Sequence, residues 1–535
     1  MAQVFTGFKG IAPLVSELLL APGKATSARN FLPRGGALEP LRQPVPLLDT
    51  GRAGVRSIYR FGLNLPDEDK YWFTFDRPVD VVPGPIADNT ERTYITGLDV
   101  PRVTDFALAT GNGGASTRQL PVATYPLAVP TPIAPQALPG AGGSGDIETR
   151  FYVRTVVTPW GEESAPSPPS NVVELKQGQP VDVKLPAQPS GARPLKAQRL
   201  YRSATTSSGT RALLLVAELP VEQGSYTDQK LGTQLAEKLE TAGFAPPPDD
   251  LRGLVALPGG VLAGFSGKEI CFSEPWLPYA WPEKYRLTMN LQPIGLGVIE
   301  GGLAVLTTGK PVMIAGSEPD SMSPAAADFD QSCLSARSIV SNGSGVIYAS
   351  PDGLCYLGAG GSRVLTADTL NARQWQAYAP TTLRGYLFEG QYIGFYDGGG
   401  FLFDLSTGDF IPLSSTFPAG FVDEQRDSVY VAQADGKVLR FNSGDYMAAT
   451  WRSAPLQRTM SPALAKVVAS RYPVTLRLFD GDTLVGEATA TSRAAFRFLP
   501  VQRRRDVFKI EVEAVGPVQA VCLADSFQDP ELTLL

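Results

Sequence analysis

Carboxylates are the side chains through which this chain could move protons, because its 535 residues include no histidine. Without imidazole there is no Ser-His-Asp triad, no Cys-His pair and no HExxH zinc site. The usual proton shuttle near neutral pH is absent too. Catalysis would rest on carboxylates, Lys, Tyr or Cys, and paired carboxylates are the glycosidase arrangement. Sialidase-type propellers carry repeated S-x-D-x-G-x-T-W boxes, and the sequence has none. Its nearest approach, Ser350-Pro351-Asp352-Gly353, has the spacing of a turn. Asp328-Phe329-Asp330 and Asp480-Gly481-Asp482 could touch calcium, but two carboxylates do not fill a shell of about six to eight oxygens. They read as solvated turn acids.

The glycine clusters Gly358-Ala359-Gly360-Gly361 and Gly398-Gly399-Gly400 lack the strand-to-helix context of a phosphate loop and read as hairpin turns. Arg503-Arg504-Arg505 is a basic run with no interleaved aromatics. It reads as a solvated loop or an intersubunit salt-bridge donor rather than a nucleic-acid patch. The cysteines at 271, 333, 355 and 522 form no CxxC pair. They read as small buried hydrophobes, with a Cys333–Cys355 disulfide left open. No catalytic, cofactor-binding or metal-ligating residue is assigned, no cofactor is expected, and the chain reads as a non-enzyme.

The elements that would position these residues are strands. The chain has 54 glycines and 47 prolines, well above ordinary usage, yet 43% of its residues are hydrophobic. Many turns with enough apolar residues for a core indicate an all-β protein of several domains. The net charge of −6 gives no general affinity for nucleic acid or anionic membranes. No apolar run is long enough for a spanning helix, so no membrane insertion is expected. Ile11 to Ala21 is interrupted by Pro13 and Glu17 and reads as a folded N-terminal segment rather than a signal peptide. Export, if any, would then occur by other means, such as cell lysis.

Five hairpins between 250 and 450 can be laid over one another, with turn glycines at 267, 309, 353, 399 and 436. A period near forty with a strong central hairpin marks β-propeller blades, and positive φ is the expected reason for the glycines. The strand-like runs 57–61 and 71–75 would add a further blade. Residues 1–115 are therefore expected to contribute β structure to the propeller, and 116–146, rich in Pro and Gly, to form a linker. Residues 147–245 read as an inserted fibronectin type III-like sandwich, with a short helix at 234–241. Residues 246–455 hold the blades, and 456–535 a C-terminal β-sandwich.

Several segments resemble a family of phage tail structural proteins. They are Gly7-Phe8-Lys9-Gly10-Ile11-Ala12-Pro13 with Gly36-Ala37-Leu38-Glu39-Pro40; Trp160-Gly161-Glu162-Glu163-Ser164-Ala165-Pro166-Ser167; Pro247-Pro248-Asp249-Asp250-Leu251-Arg252 through Trp276 and Trp281; and Gly309-Lys310-Pro311 to Asp320-Ser321-Met322-Ser323. The resemblance implies a structural virion protein of a short-tailed bacteriophage, a nozzle-like homo-oligomeric ring, a hexamer, at the distal tail. Such a ring retains genomic DNA and then conducts it during ejection. Its implied partners are other tail proteins, namely an adaptor or tube and fibres. DNA would pass through an acidic lumen without specific binding, and the host surface is a further contact. The implied location is the virion, with assembly in the host cytoplasm. Two other readings stand beside it: a receptor- or glycan-binding tail-tip protein, and a carboxylate-dependent glycan hydrolase.

Overall fold

The computed structural model describes residues 2–62, 70–86, 88, 90–112, 119–188, 191, 193–205, 211–235, 237–457, 463–498, 507–526 and 528. Among the described residues nearly all regular structure is strand, and two α-helices of five residues each occur. None of the described helices is long and apolar enough to cross a membrane.

The centre of the molecule is a β-propeller. Among the described residues, six four-stranded antiparallel sheets and one two-stranded sheet form a closed ring. Blade 1 is the hairpin Ser57–Arg60 with Trp72–Phe75. Blade 2 runs from Asp80–Pro83 through Thr93–Thr96 and Arg102–Thr104 to Tyr125–Pro126. Blades 3, 4, 5 and 6 begin at Arg252–Leu257, Pro293–Ile299, Val340–Ser341 and Arg384–Phe388 and end at Leu287–Thr288, Ser323–Ala326, Gly361–Val364 and Phe410–Leu413. The five hairpins expected from the repeat are the two middle strands of blades 3 to 7.

Blade 7 contains Ala419–Asp423, Ser428–Ala432 and Lys437–Arg440. Its outermost strand is Val45–Asp49, which precedes blade 1 in the chain. Opening the ring therefore means breaking an antiparallel ladder, and the outer edge of the last blade is covered.

The glycine expectation holds only in part. Gly267 and Gly436 do have positive φ, at 52° and 95°. Gly309, Gly353 and Gly399 do not, and there the reason is space. A Cβ on Gly309 would stand 2.7 Å from the Leu291 side chain, and one on Gly353 the same distance from Val364.

The first thirty residues belong with the C-terminus, which corrects the boundaries drawn from sequence. Ala2–Phe5 pairs with Val518–Ala524, and Ala25–Arg29 pairs with Ala449–Ser453. The C-terminal sandwich is thus made of 2–29 together with 449–524. Its two sheets have the orders 2–5, 518–524, 464–469, 496–497 and 25–29, 449–453, 507–514, 474–480, 483–490. Between its first strands, residues 7–13 form a strap over the propeller. Phe8 meets the Trp451 ring edge-on at 5.0 Å, Trp451 Nε1 donates to the Lys9 carbonyl, and the Gly10 N–H and Lys24 Nζ donate to buried Asp409 of blade 6. One continuous core joins this sandwich to blades 5, 6 and 7.

Residues 116–146 are not a free linker. Leu120 bridges Phe73 of blade 1, Tyr125–Pro126 is the outer strand of blade 2, and Gln136–Pro139 pairs with Val181–Lys184. Proline is tolerated at such strand edges because its missing N–H faces away from the ladder. Between blades 2 and 3 the chain forms a two-layer sandwich. One layer holds Gln136–Pro139, Val181–Lys184 and Ser225–Asp228, and the other Tyr152–Val157, Ala197–Thr205 and Arg211–Pro220. Ile147–Arg150 pairs with Val173–Lys176 beside them.

Among the described residues, the helix expected at 234–241 is absent, and 3-10 turns at Gly232–Gln234 and Thr241–Gly243 stand at either end of the span. The Leu215 N–H donates to the Glu237 carbonyl and the Leu239 N–H to the Leu213 carbonyl, so residues 237–239 run alongside strand 211–220. Leu235 and Leu239 have helical spacing, but burial of Leu239 against Val153 and Tyr201 decides the conformation.

Candidate functional site

The innermost strand of each blade faces a narrow axis, and glycine lets these strands come close. A Cβ on Gly295 would stand 2.5 Å from Ile339, and one on Gly420 would stand 2.7 Å from the Tyr386 ring. At one end of the axis a short 3-10 turn, Ala336–Ser338, precedes blade 5. Its Arg337 reaches across the ring. Nη1 donates to the Val79 carbonyl at 3.1 Å beside blade 2, and Nη2 donates to the Arg56 carbonyl at 3.3 Å and to Ser57 Oγ at 2.5 Å in blade 1. Asp80 Oδ1 lies 4.0 Å from the same guanidinium, and Asp80 Oδ2 accepts from the Gly253 N–H. Burial pushes the Asp80 carboxyl above its ordinary value, while Arg337 and the Gly253 N–H oppose the shift. One side chain thus spans the axis from blade 5 to blades 1 and 2.

The second constellation is where the inserted sandwich meets blade 2. A tight turn, closed by Gly161 N–H to Thr158 O and Thr158 N–H to Glu162 O, presents Trp160 and Glu162. Buried Glu162 is ion-paired with buried Arg193, accepts from Thr158 Oγ1 at 3.2 Å and lies 3.9 Å from Arg92. Arg193 also donates to the Pro126 carbonyl at 2.7 Å. The Arg193 and Arg92 guanidinium carbons lie 4.9 and 5.5 Å from the Trp160 ring centroid, a cation–π arrangement. Glu163 points the other way, to Thr155, Arg199 and Tyr201.

The serines that follow explain the Ser-Ala-Pro-Ser-Pro-Pro-Ser run. The oxygens of Ser164, Ser167 and Ser170 accept from the N–H groups of Val156, Arg154 and Tyr152, and their own N–H groups donate back to the same residues' carbonyls. The run covers an edge that would otherwise expose unpaired backbone.

Two clefts flank Trp160. One, of about 460 Å³, is lined by Asp105, Asn112, Val122, Tyr125 and Arg193. The other, of about 180 Å³, lies between Ile86, Asp88 and Arg92 of blade 2 and Trp276 and Tyr279 of blade 3. Burial, together with the charge of Glu162, pushes the Tyr94 hydroxyl at its base above its ordinary value, and burial pushes Tyr279 up to about 12.

Trp276 sits in an unusual place. Leu277 N–H donates to the Glu274 carbonyl, closing a turn with Pro275 at the second position and Trp276 at the third. Trp276 has φ 65° there. Pro at the second position and positive φ at the third are the signature of a type II turn, which normally takes Gly or Asn third. A side chain in the left-handed region costs roughly 1–2 kcal/mol. The indole lies on Gly260, where a Cβ would stand 2.5 Å from the ring, and remains 51% exposed.

The residues singled out from sequence are spent in turns. Ser350 Oγ accepts from Asp352 N–H and Gly353 N–H and closes the hairpin of blade 5, while its carbonyl accepts from Trp375 Nε1. Asp328 and Asp330 are exposed. Asp480 to Asp482 form the 474–480/483–490 hairpin, with Gly481 at φ 57°. Gly358 to Gly361 and Gly398 to Gly400 are the turns of blades 5 and 6. Among the described residues, no three Cys, Asp or Glu side chains are grouped to hold a metal ion.

All four cysteines are free thiols and buried, so Cys333 and Cys355 are not bridged. Burial pushes Cys271 up to about 11 and Cys333 and Cys355 up to about 12, which makes them poor nucleophiles. Arg503-Arg504-Arg505 lies outside the described residues. Sequence reasoning missed Arg337, Arg193 and the role of Trp276. The only local signal among them is the Pro275-Trp276 pair, a turn dipeptide with the wrong residue in its second place.

No protein-family model matches the chain, and no curated protein matches it significantly. Solved structures do. The extracellular domain of a two-component system from B. thetaiotaomicron is similar at 10% identity and a TM-score of 0.27. That match covers 94% of this chain and 63% of the other, so the chain spans under two thirds of that protein's length. BamB from Moraxella catarrhalis is similar at 10% identity and a TM-score of 0.24, covering 58% of this chain and 95% of its own. YCF48 from Cyanidioschyzon merolae is similar at 10% identity and a TM-score of 0.21, covering 75% and 98%. These likenesses are too loose to carry an argument about function, and the propeller assignment rests on the strand order itself.

Proposed function

We propose that the chain is a structural protein of a bacteriophage tail, one subunit of a nozzle-like ring, a hexamer, at the distal end that retains genomic DNA and conducts it on ejection. The reading begins from the resemblance of residues 7–13, 160–167, 247–281 and 309–323. The observation that carries it further is the way the chain ends are woven into its domains. Strand 45–49 closes the propeller, and strands 2–5 and 25–29 complete the C-terminal sandwich. Domains that share strands cannot be pulled apart without breaking ladders, which suits a part loaded by a packaged genome.

Arg337 supports a further point. Because it bridges the propeller axis, DNA would run along the common axis of a ring of copies, not through a propeller. Rings of this kind form by heterologous contacts repeated round an axis. The loop between the first two strands offers a contact surface, with Leu18 and Leu19 at 73% and 76% exposure. Tail adaptor, tube and fibre proteins are the partners this reading assigns, and the virion is its location. Immunogold labelling of purified phage particles with antibody to the chain tests it. Gold at the tail tip is expected, and absence of the chain from mature particles would overturn the reading.

A further inference from the structure

We propose that the small cleft beside Trp276 is a binding site for one pyranose ring of an uncharged glycan. The inference goes beyond the tail-ring reading and does not depend on it.

Three observations meet at this cleft. The first is the Trp276 conformation. The turn 274–277 would be unstrained with glycine or asparagine at that position, and the chain instead holds a large aromatic there at φ 65°. Strain of this kind persists where the surroundings hold it, and it gathers at ligand sites. The second is the orientation of the ring. Gly260 leaves its Cβ position empty so that the indole lies flat on the backbone, and half of the side chain stays open to solvent. A flat apolar face fixed on one side and open on the other matches the C–H face of a sugar ring.

The third observation is the polar content of the cleft. Asp88 Oδ1 accepts from the Thr90 N–H and hydroxyl, at 2.9 and 2.5 Å, and its Oδ2 lies 3.5 Å from Arg92. Both side chains keep part of their surface in water, 27% for Asp88 and 22% for Arg92. A carboxylate with lone pairs to spare beside a guanidinium offers acceptor and donor to adjacent hydroxyls. Those hydrogen bonds to Thr90 also hold the Asp88 carboxyl below its ordinary value, so it is an acceptor at neutral pH.

Charge and size select the ligand class. Arg92 is matched by Asp88 and Glu162, and Arg193 by Glu162. The cleft therefore offers no unmatched cation for a phosphate, which single-stranded nucleic acid would need. Its volume of about 180 Å³ is below the ~300–1,000 Å³ of sites that enclose a whole small molecule. It suits one ring of a chain that continues into solvent.

The full chain probed on a microarray of bacterial surface glycans, followed by calorimetric titration of the best glycan, tests this. Wild type is expected to bind, and Trp276→Gly and Trp276→Asn to lose at least tenfold in affinity while melting no lower than wild type. Asp88→Asn is expected to weaken binding as well. Absence of any bound glycan, or retention of wild-type affinity in both Trp276 variants, would overturn the proposal. Unfolding of both would make Trp276 a packing residue and would overturn it equally. Binding of an oligothymidylate in place of glycans, with loss of that binding in Trp276→Gly, would reassign the cleft to bases.

Discussion

Blades 3 to 7 and blades 1 and 2 are built on the same ring by different means. In the regular blades the polar side chains mostly finish turns. Ser350 closes the hairpin of blade 5, and Asp404 of blade 6 accepts from the N–H groups of Ser406 and Thr407. In blades 1 and 2 they tie one unit to another. Arg60 of blade 1 reaches Asp423 of blade 7 at 3.3 Å with both side chains buried, Arg337 links blade 5 to blades 1 and 2, and Arg193 with Glu162 fastens the inserted sandwich. Among the described residues blade 1 has two strands, and its core is largely aromatic, with Phe61 stacked on Phe73 at 4.6 Å. A blade with little ladder of its own takes its position from its neighbours, and buried charge pairs are good at fixing position even where they add little net stability.

The comparison can be broken most severely at Asp423. Asp423→Ala removes the buried carboxylate that Arg60 and Arg426 share, so urea unfolding should show a loss of about 3–5 kcal/mol. In a regular blade the corresponding damage is apolar. Leu402→Ala, at a fully buried site in blade 6, should cost about 2–5 kcal/mol by the same measurement. If Asp423→Ala proved nearly neutral, the Arg60–Asp423 pair would not be what fixes blade 1 on blade 7.

Arg337→Ala should cost less, about 1–2 kcal/mol, because its guanidinium is 34% exposed and the freed carbonyls can be hydrated. Thermal melting of the variant checks this. The double substitution Leu18→Ser with Leu19→Ser should change stability by under about 0.5 kcal/mol. It should still abolish ring assembly by sedimentation, and an intact ring would exclude that loop as the contact.

The pH response should separate the two regions in sign. Burial raises the Asp404 carboxyl, but hydrogen bonds from Ser406, Thr407 and Gln391 outweigh it and leave the group below its ordinary value of 3.8. Its contribution is present above that value and is lost as pH falls below it. Asp80, pushed up by burial, works the opposite way: acidification relieves the cost of its charge. Acid unfolding should therefore begin below about pH 4, driven by groups like Asp404, and Asp404→Asn should flatten it. With no histidine in the chain, stability should stay level between about pH 6 and 8. A steep change there would point to a carboxyl raised far above its ordinary value, in the direction that burial shifts Asp80.

The sequence made the regular blades readable because each carries its own signals: two alternating apolar runs and a small residue between them. The five hairpins at 261–440 are correct on those terms. Blade 2 was hidden because its strands are short, and its last one, Tyr125–Pro126, lies in a proline-rich stretch that reads as a tether. The exchange of strands 2–5, 25–29 and 45–49 between chain ends has no local mark at all, since pairing at that separation is decided by tertiary burial. Of the candidate site, Trp160-Gly161-Glu162 was visible as a turn, but not that Arg193 and Arg92 would close on it. Arg337 is one arginine among many until the ring brings Val79 and Ser57 opposite it.

A cryo-EM map of the phage tail at side-chain resolution tests the central claim most directly. The account predicts a closed ring of copies with DNA density on the common axis, each propeller axis bridged by Arg337, and strand 45–49 seated in blade 7. A chain present only as isolated monomers, or DNA density running through a propeller, would contradict it.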